Sequence, residues 1–316
     1  MIEVKHLTKR YGSHTAVSDL SFTIEKGHIY GFLGPNGAGK STTMNILTGC
    51  LAATSGSVTI DGHDIFEEEQ AAKSRIGYLP EILPLYPDRT PREYLNFVAQ
   101  AKKVPAPQRA GQIRKVMEMT GITEVSDRLI RNLSKGYRQR VGIAQALLGD
   151  PEIIILDEPT VGLDPRQITE IRELIQLLGR DHTVILSSHI LSEVQAVCET
   201  VMIISKGRLV ACDSTDNLEK RFAGDTTVEL TVEAGKEEIP QILKPMDGIT
   251  NCTMEENGSY VNLRLETGAP ADAICRQLFF AFSGAGRAIL RMTTARASLE
   301  DIFLELTEDE KKEEAK

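Results

Sequence analysis

Between Gly34 and Ser41 the chain reads GPNGAGKS, which satisfies the spacing G-x-x-x-x-G-K-[ST]. A stretch so poor in side chains leaves successive backbone N–H groups free to curl around an anion. Ile29, Tyr30, Phe32 and Leu33 precede it as an apolar run of buried-strand length, and residues 41–48 follow with a helical pattern whose N-terminus would face the same anion. Strand, bare loop, lysine, hydroxyl and helix in that order point to a loop that holds a phosphate chain. Gly34, Pro35, Asn36, Gly37, Ala38, Gly39, Lys40, Ser41 and Thr42 are the candidate cradle. In it Lys40 would reach the β- and γ-phosphates, and Ser41 would offer its hydroxyl to a magnesium ion.

Such a loop belongs in an α/β fold, and the rest of the N-terminal part reads that way. Apolar strand candidates at 58–60 (VTI), 152–156 (EIIIL), 183–188 (TVILSS) and 200–205 (TVMIIS) alternate with helical patterns. A mostly helical insertion is expected at about 88–150. It opens at Thr90-Pro91-Arg92-Glu93, which has capping-box spacing with proline at the first helical position. The domain is expected to run over 1–222. A second, smaller α+β domain is expected over 226–316, where the pattern strand, helix, strand, strand, helix, strand is the order of a ferredoxin-like unit. Ser298-Leu299-Glu300-Asp301 repeats the capping-box spacing ahead of a terminal helix, and the charged tail beyond it reads as solvated.

The formal charge of −9 argues against a nucleic-acid surface, so an acidic nucleotide would have to be held by local donors at the loop. The five cysteines show no C-x-x-C spacing and the histidines His6, His14, His28, His63 and His182 no ligand spacing, so neither a zinc site nor a disulfide framework is expected. That usage fits a reducing cytoplasm. No apolar run approaches the roughly 20 residues that span a bilayer, so any membrane passage would need another chain.

A second motif narrows the chemistry. In PEIIILDEPTVGLDP, residues 151–165, carboxylates appear only at the C-terminal end of an apolar strand, where ligands sit in an open parallel sheet. Asp157 is thereby placed to hold a magnesium shell and Glu158 to polarise a water aimed at the γ-phosphate. In NLSKGYRQRV, residues 132–141, Ser134 stands at an N-cap position and Gly136 leaves the backbone open, so the following helix offers a second anion-seeking end. One nucleotide does not need two such ends unless they come from two molecules.

With these motifs in order the sequence resembles the nucleotide-binding subunits of ABC transporters over about residues 1–220: phosphate loop 34–42, signature 133–137 (LSKGY), strand carboxylates Asp157 and Glu158, D-loop 162–164 and the histidine of SSHI, His189. The resemblance implies an ATPase that uses ATP and Mg2+, with His189 at the γ-phosphate and Tyr11 stacked on adenine. It implies a head-to-tail pair of subunits, in which Ser134 and Gly136 reach the ATP held by the partner's phosphate loop. It also implies a transmembrane permease subunit as partner, on whose inner-membrane side the chain sits as a peripheral protein.

Many relatives carry a glutamine where this chain has Glu81, which takes over the expected magnesium contact without the amide's donor capacity. Together with LYPDRTPREYL and the ending ASLEDIFLELT, these variants look like the ABC-2 type branch of exporters. A soluble ABC ATPase for protein remodelling or cofactor assembly is the competing expectation.

Overall fold

The computed structural model describes residues 1–222, 226–244, 246, 248–258 and 260–295. Terminal helix and tail expectations beyond 295 lie outside the described residues. The chain divides into two compact units, Met1–Thr215 and Asp216 onward.

The first unit contains ten strands: β1 Ile2–Tyr11, β2 His14–Ile24, β3 Ile29–Leu33, β4 Ser55–Ile60, β5 His63–Asp64, β6 Ile76–Leu79, β7 Ile153–Asp157, β8 Thr183–Ser188, β9 Thr200–Ser205 and β10 Arg208–Ser214. Its helices are α1 Lys40–Leu47, α2 Glu69–Ser74, α3 Pro91–Ala101, α4 Ala106–Met119, α5 Lys135–Leu147, α6 Pro165–Leu178 and α7 Leu191–Gln195, followed by α8 Thr215–Phe222 at the division between units.

Six strands form the central sheet in the order β10-β9-β3-β8-β7-β6. All its neighbours are parallel except the edge pair β9 and β10. β3, β7 and β8 are buried along their whole length, as strands covered on both faces must be. Parallel strands all present their carboxyl ends at one edge, and that edge carries the loops after β3, β6, β7 and β8.

Residues 58–60 do not join this sheet. They lie in β4 of a separate antiparallel sheet, order β2-β1-β4-β5, where Ile2, Val4 and Lys5 pair with Ile60, Val58 and Ser57. An apolar triplet carries no record of whether its partner runs parallel, and here the partner is the N-terminal strand. One core joins the two sheets through α1, with Phe32, Met44, Ile46, Ile60 and Met202 fully buried. Burial of each such side chain stabilises the fold by roughly 1.5–3 kcal/mol.

The helical insertion begins as its sequence dictates. Glu93 N donates to Thr90 Oγ1 at 3.2 Å, and Thr90 N donates to Glu93 Oε2 at 3.0 Å, which closes both halves of the capping box. Tyr94, Leu95, Val98 and Ala99 then form the buried stripe of α3. The helix stops before Lys103, which takes a φ of 57°.

In the second unit β11 Thr226–Glu233, α9 Ile239–Leu243, β12 Ile249–Asn257, β13 Tyr260–Thr267, α10 Ala271–Gly284 and β14 Ala288–Ala295 follow in turn. The sheet order is β12-β13-β11-β14, antiparallel throughout. This is a ferredoxin-like arrangement. Alternate residues Val228, Leu230 and Val232 of β11, and Val261, Leu263 and Leu265 of β13, are buried in one cluster with Ile274, Leu278 and Phe282, spaced four apart on α10.

Candidate functional site

Residues 34–42 leave β3 and turn into α1. Gly39 is the residue before the helix and adopts a φ of 100°; a Cβ there would stand 2.4 Å from the carbonyl oxygen of Ala16. Backbone on both sides of that contact leaves no room to yield, so only glycine fits. α1 therefore starts at Lys40, whose side chain folds back over the loop. Its Nζ donates to the carbonyl oxygens of Gly34 at 2.8 Å and Pro35 at 3.3 Å, and lies 3.6 Å from Glu158 Oε1. Lys40 is 6% exposed and Glu158 7%, so the pair is shielded from solvent.

β7 ends at Asp157, which is 1% exposed. Its Oδ1 accepts from Ser41 Oγ at 3.3 Å and from Ser187 Oγ, on the neighbouring β8, at 2.5 Å. Glu158 follows with a φ of 49°, a left-handed conformation unusual for a side chain of its size. Ser187 Oγ accepts from Glu158 N at 3.0 Å and so holds that turn. His189, just past β8, brings Nδ1 to 3.0 and 3.1 Å from the two carboxyl oxygens of Glu158.

These groups open onto a groove of about 490 Å3 lined by Tyr11, His14, Ala16, Asn36, Gly37, Gly39, Lys40, Ser41, Thr42, Glu81, Glu158, Val161 and His189. Of the residues picked out in the sequence, the structure thus brings the phosphate loop, Tyr11, Glu81, Glu158 and His189 to one place. Asp157 stands behind Ser41, while Gly34 and Pro35 act through their carbonyls. Tyr11 is half exposed and paired with His14 across the hairpin between β1 and β2, and Lys9 Nζ sits 5.2 Å from the centre of its ring.

Ser134 and Gly136 are not among the groove's lining residues. Ser134 is exposed and caps α5, its Oγ accepting from Tyr137 N at 3.3 Å. Gly136 packs on α6, where a Cβ would come within 2.7 Å of Gln167 Cδ. Asp164 caps α6 by accepting from Gln167 N at 2.9 Å.

Sequence reasoning missed several partners. His14 was passed over because its spacing suits no metal, yet the hairpin carries it to the groove. Ser187 and Ser188 fall inside a strand candidate, and no motif singles out Glu193. Glu193 is buried, with Oε2 accepting from Thr160 Oγ1 at 2.5 Å and from Ser188 Oγ at 3.1 Å. Nothing in the local pattern separates such an acid from a surface one.

The site has the chemistry of phosphoanhydride hydrolysis: a fixed ammonium and backbone donors for the phosphates, hard oxygen ligands, and a carboxyl group beside an imidazole. Known proteins resemble the chain over much of its length. A family profile described as "ABC transporter" matches residues 17–161. The linearmycin resistance ATP-binding protein LnrL of Bacillus subtilis (strain 168) is 32% identical over 309 residues, which cover 97% of this chain and 98% of that one. The bacitracin transport ATP-binding protein BcrA of Bacillus licheniformis is 41% identical over 223 residues, 70% of this chain and 72% of the relative. Among solved structures, the dimeric post-hydrolysis state of the ATP-binding cassette MJ0796 bound to ADP and Pi superposes with a TM-score of 0.62 at 25% identity, over 68% of this chain and 98% of that one. With its phosphate loop, its strand-end carboxyls and a full-length relative in hand, the chain belongs to the ABC transporter family as an ATP-binding subunit, and its reaction is the hydrolysis of ATP.

Proposed function

We propose that the protein powers an ABC-2 type exporter by clamping ATP between two copies of itself. The observation that carries this reading is the convergence of Lys40, Glu158 and His189 on one groove, with Asp157 behind Ser41, while the cap of α5, Ser134 with Gly136, is not among its lining residues. A second copy turned head to tail would bring that helix end to the γ-phosphate, where backbone donors and the helix dipole favour an anion. ATP then binds the two copies together, and its hydrolysis loosens them.

Within one copy, Lys40 neutralises the β- and γ-phosphates and Tyr11 stacks on the base. Glu158 takes a proton from the attacking water, and His189, beside it, holds the γ-phosphate in line. Ser41 and Asp157 present hard oxygens close together, the donor type that Mg2+ takes alongside phosphate and water, and Glu81 faces the same groove. When bound, the ion would neutralise charge on the phosphate oxygens.

No helix among the described residues is long and apolar enough to cross a membrane, so transport needs a permease subunit. Ile82, 85% exposed between β6 and α3, and the mutually tilted rings of Tyr86 and Phe97, with centres 5.4 Å apart, offer apolar surface for a cytoplasmic helix of that subunit. The names of the relatives, linearmycin resistance and bacitracin transport, favour export as the direction. Residues 226–316 are read as an accessory domain, and the protein as peripheral on the inner face of the membrane. Pull-down of the tagged chain from native membranes under ATP tests this. A co-purifying integral membrane protein is expected, and recovery of soluble partners alone would favour the remodelling reading instead.

A further inference from the structure

The hydrogen-bond ladder between β7 and β8 ends at the pair Asp157 and Ser187. Glu158 and His189 both lie past that point, on loops that leave two different strands. Their mutual position is therefore set by what joins the loops beyond the ladder. One joint is Ser187, whose hydroxyl accepts from Glu158 N. The other is Glu193. A single carboxyl oxygen, Oε2, accepts from Thr160 Oγ1 on the β7 loop and from Ser188 Oγ on the β8 strand end, and Ser188 Oγ in turn accepts from Ile190 N at 3.0 Å. Thr160 stands two residues after Glu158, and Ser188 immediately before His189. All three joined side chains are buried, Glu193 and Thr160 at 5% exposure and Ser188 at 0%. Glu193 is not among the residues that line the groove.

We propose that Glu193 is a positioning residue for ATP hydrolysis, tying the loop that carries Glu158 to the loop that carries His189 and so fixing the distance between them. This rests on the reading of Glu158 and His189 as the groups flanking the reacting phosphate. A buried acid spent on two neutral hydroxyls is an expensive choice for packing alone, since an apolar residue fills such a site without desolvating a carboxyl group. What the carboxyl group adds is a joint between two loops that no backbone bond connects. A misplacement of about 1 Å at such a centre costs up to roughly 100-fold in rate.

The test is kinetic, on the full-length chain. Glu193→Ala should lower kcat about tenfold while KM for ATP stays within about twofold, because the phosphate loop is untouched. Glu193→Gln, whose amide oxygen still accepts from both hydroxyls, should recover most of the rate. The deciding measurement is the double variant with His189→Ala. When the histidine is gone, loss of the residue that positions it should cost nothing further, whereas a general loss of stability would multiply the two defects. Should Glu193→Ala fail to fold, Thr160→Val, which keeps the volume and removes one donor, runs the same cycle. Equal rate factors in the presence and absence of His189, or an unchanged kcat in the folded single variant, overturn the proposal while leaving the site reading intact. Full activity in His189→Ala alone would overturn both.

Discussion

Replacing Glu158 by glutamine separates the chemical role of the carboxyl group from its part in holding the loop. The side chain is 7% exposed, 3.6 Å from the Lys40 ammonium and within 3.1 Å of His189 Nδ1 on both oxygens. Glutamine keeps the volume and one oxygen acceptor but cannot take a proton from water, so kcat should fall by about 10²–10⁴-fold. The substitution also removes Lys40's carboxyl partner. Breaking a buried pair costs roughly 3–5 kcal/mol when the other group is left bare. Lys40 is not left bare, because the carbonyls of Gly34 and Pro35 remain its acceptors, so a loss of about 1–3 kcal/mol is expected. For a unit of this size that corresponds to a melting temperature lower by roughly 2–4 °C per kcal/mol.

Mg·ATP should restore it. At a hundred times its dissociation constant a ligand that binds only the folded state contributes about 2.7 kcal/mol, and the variant does not consume what it binds. Phosphate release gives the rate, calorimetry with and without Mg·ATP the stability, and light scattering the assembly, which should shift to a dimer with ATP. Turnover within tenfold of the parent would refute the assignment of the base. A nucleotide-bound variant that stays monomeric, alone and beside its permease, would refute the shared-nucleotide mechanism.

Three further substitutions probe separate links. Gly39→Ala forces a side chain into a left-handed backbone against the Ala16 carbonyl; the strain alone is about 1–2 kcal/mol, so ATP affinity measured by titration calorimetry should drop roughly tenfold or more, and unchanged affinity would contradict the loop geometry. Tyr11→Ala should weaken ATP by about 1–3 kcal/mol while Tyr11→Phe keeps affinity, because the ring face and not the hydroxyl stacks; equal effects from both would argue against stacking. Thr90→Ala opens the capping box of α3 and should cost about 1 kcal/mol in urea unfolding, with ATP affinity unaltered, since the cap lies outside the groove.

The parts of this protein that could be read from sequence are those in which a short local pattern already contains its physics. Gly39 and Lys40 announce the phosphate loop because only a side-chain-free turn ahead of a helix fits an anion. Thr90 and Glu93 announce a helix start because the two bonds they make are with each other. The strand-helix order of the second unit likewise fixed a ferredoxin-like sheet before any register was known. What could not be read depends on partners far along the chain. Residues 58–60 pair with the N-terminal strand across more than fifty positions. Glu193 meets Thr160 only because β7 and β8 lie side by side. An acid on a five-residue helix carries no local mark of burial.

The central sheet also acts as a ruler. The loops that carry the phosphate cradle, His189, Glu158 and Glu81 leave the ends of β3, β8, β7 and β6, four consecutive strands whose pitch of about 4.8 Å is set by main-chain bonds. Any apolar residue that fills a rung preserves the graduation. Apolar side chains on the inner faces can therefore change without moving the strand ends, which leaves only the last residues of each loop to be set by side-chain joints, and a cassette sharing only 25% of its residues still overlays this one.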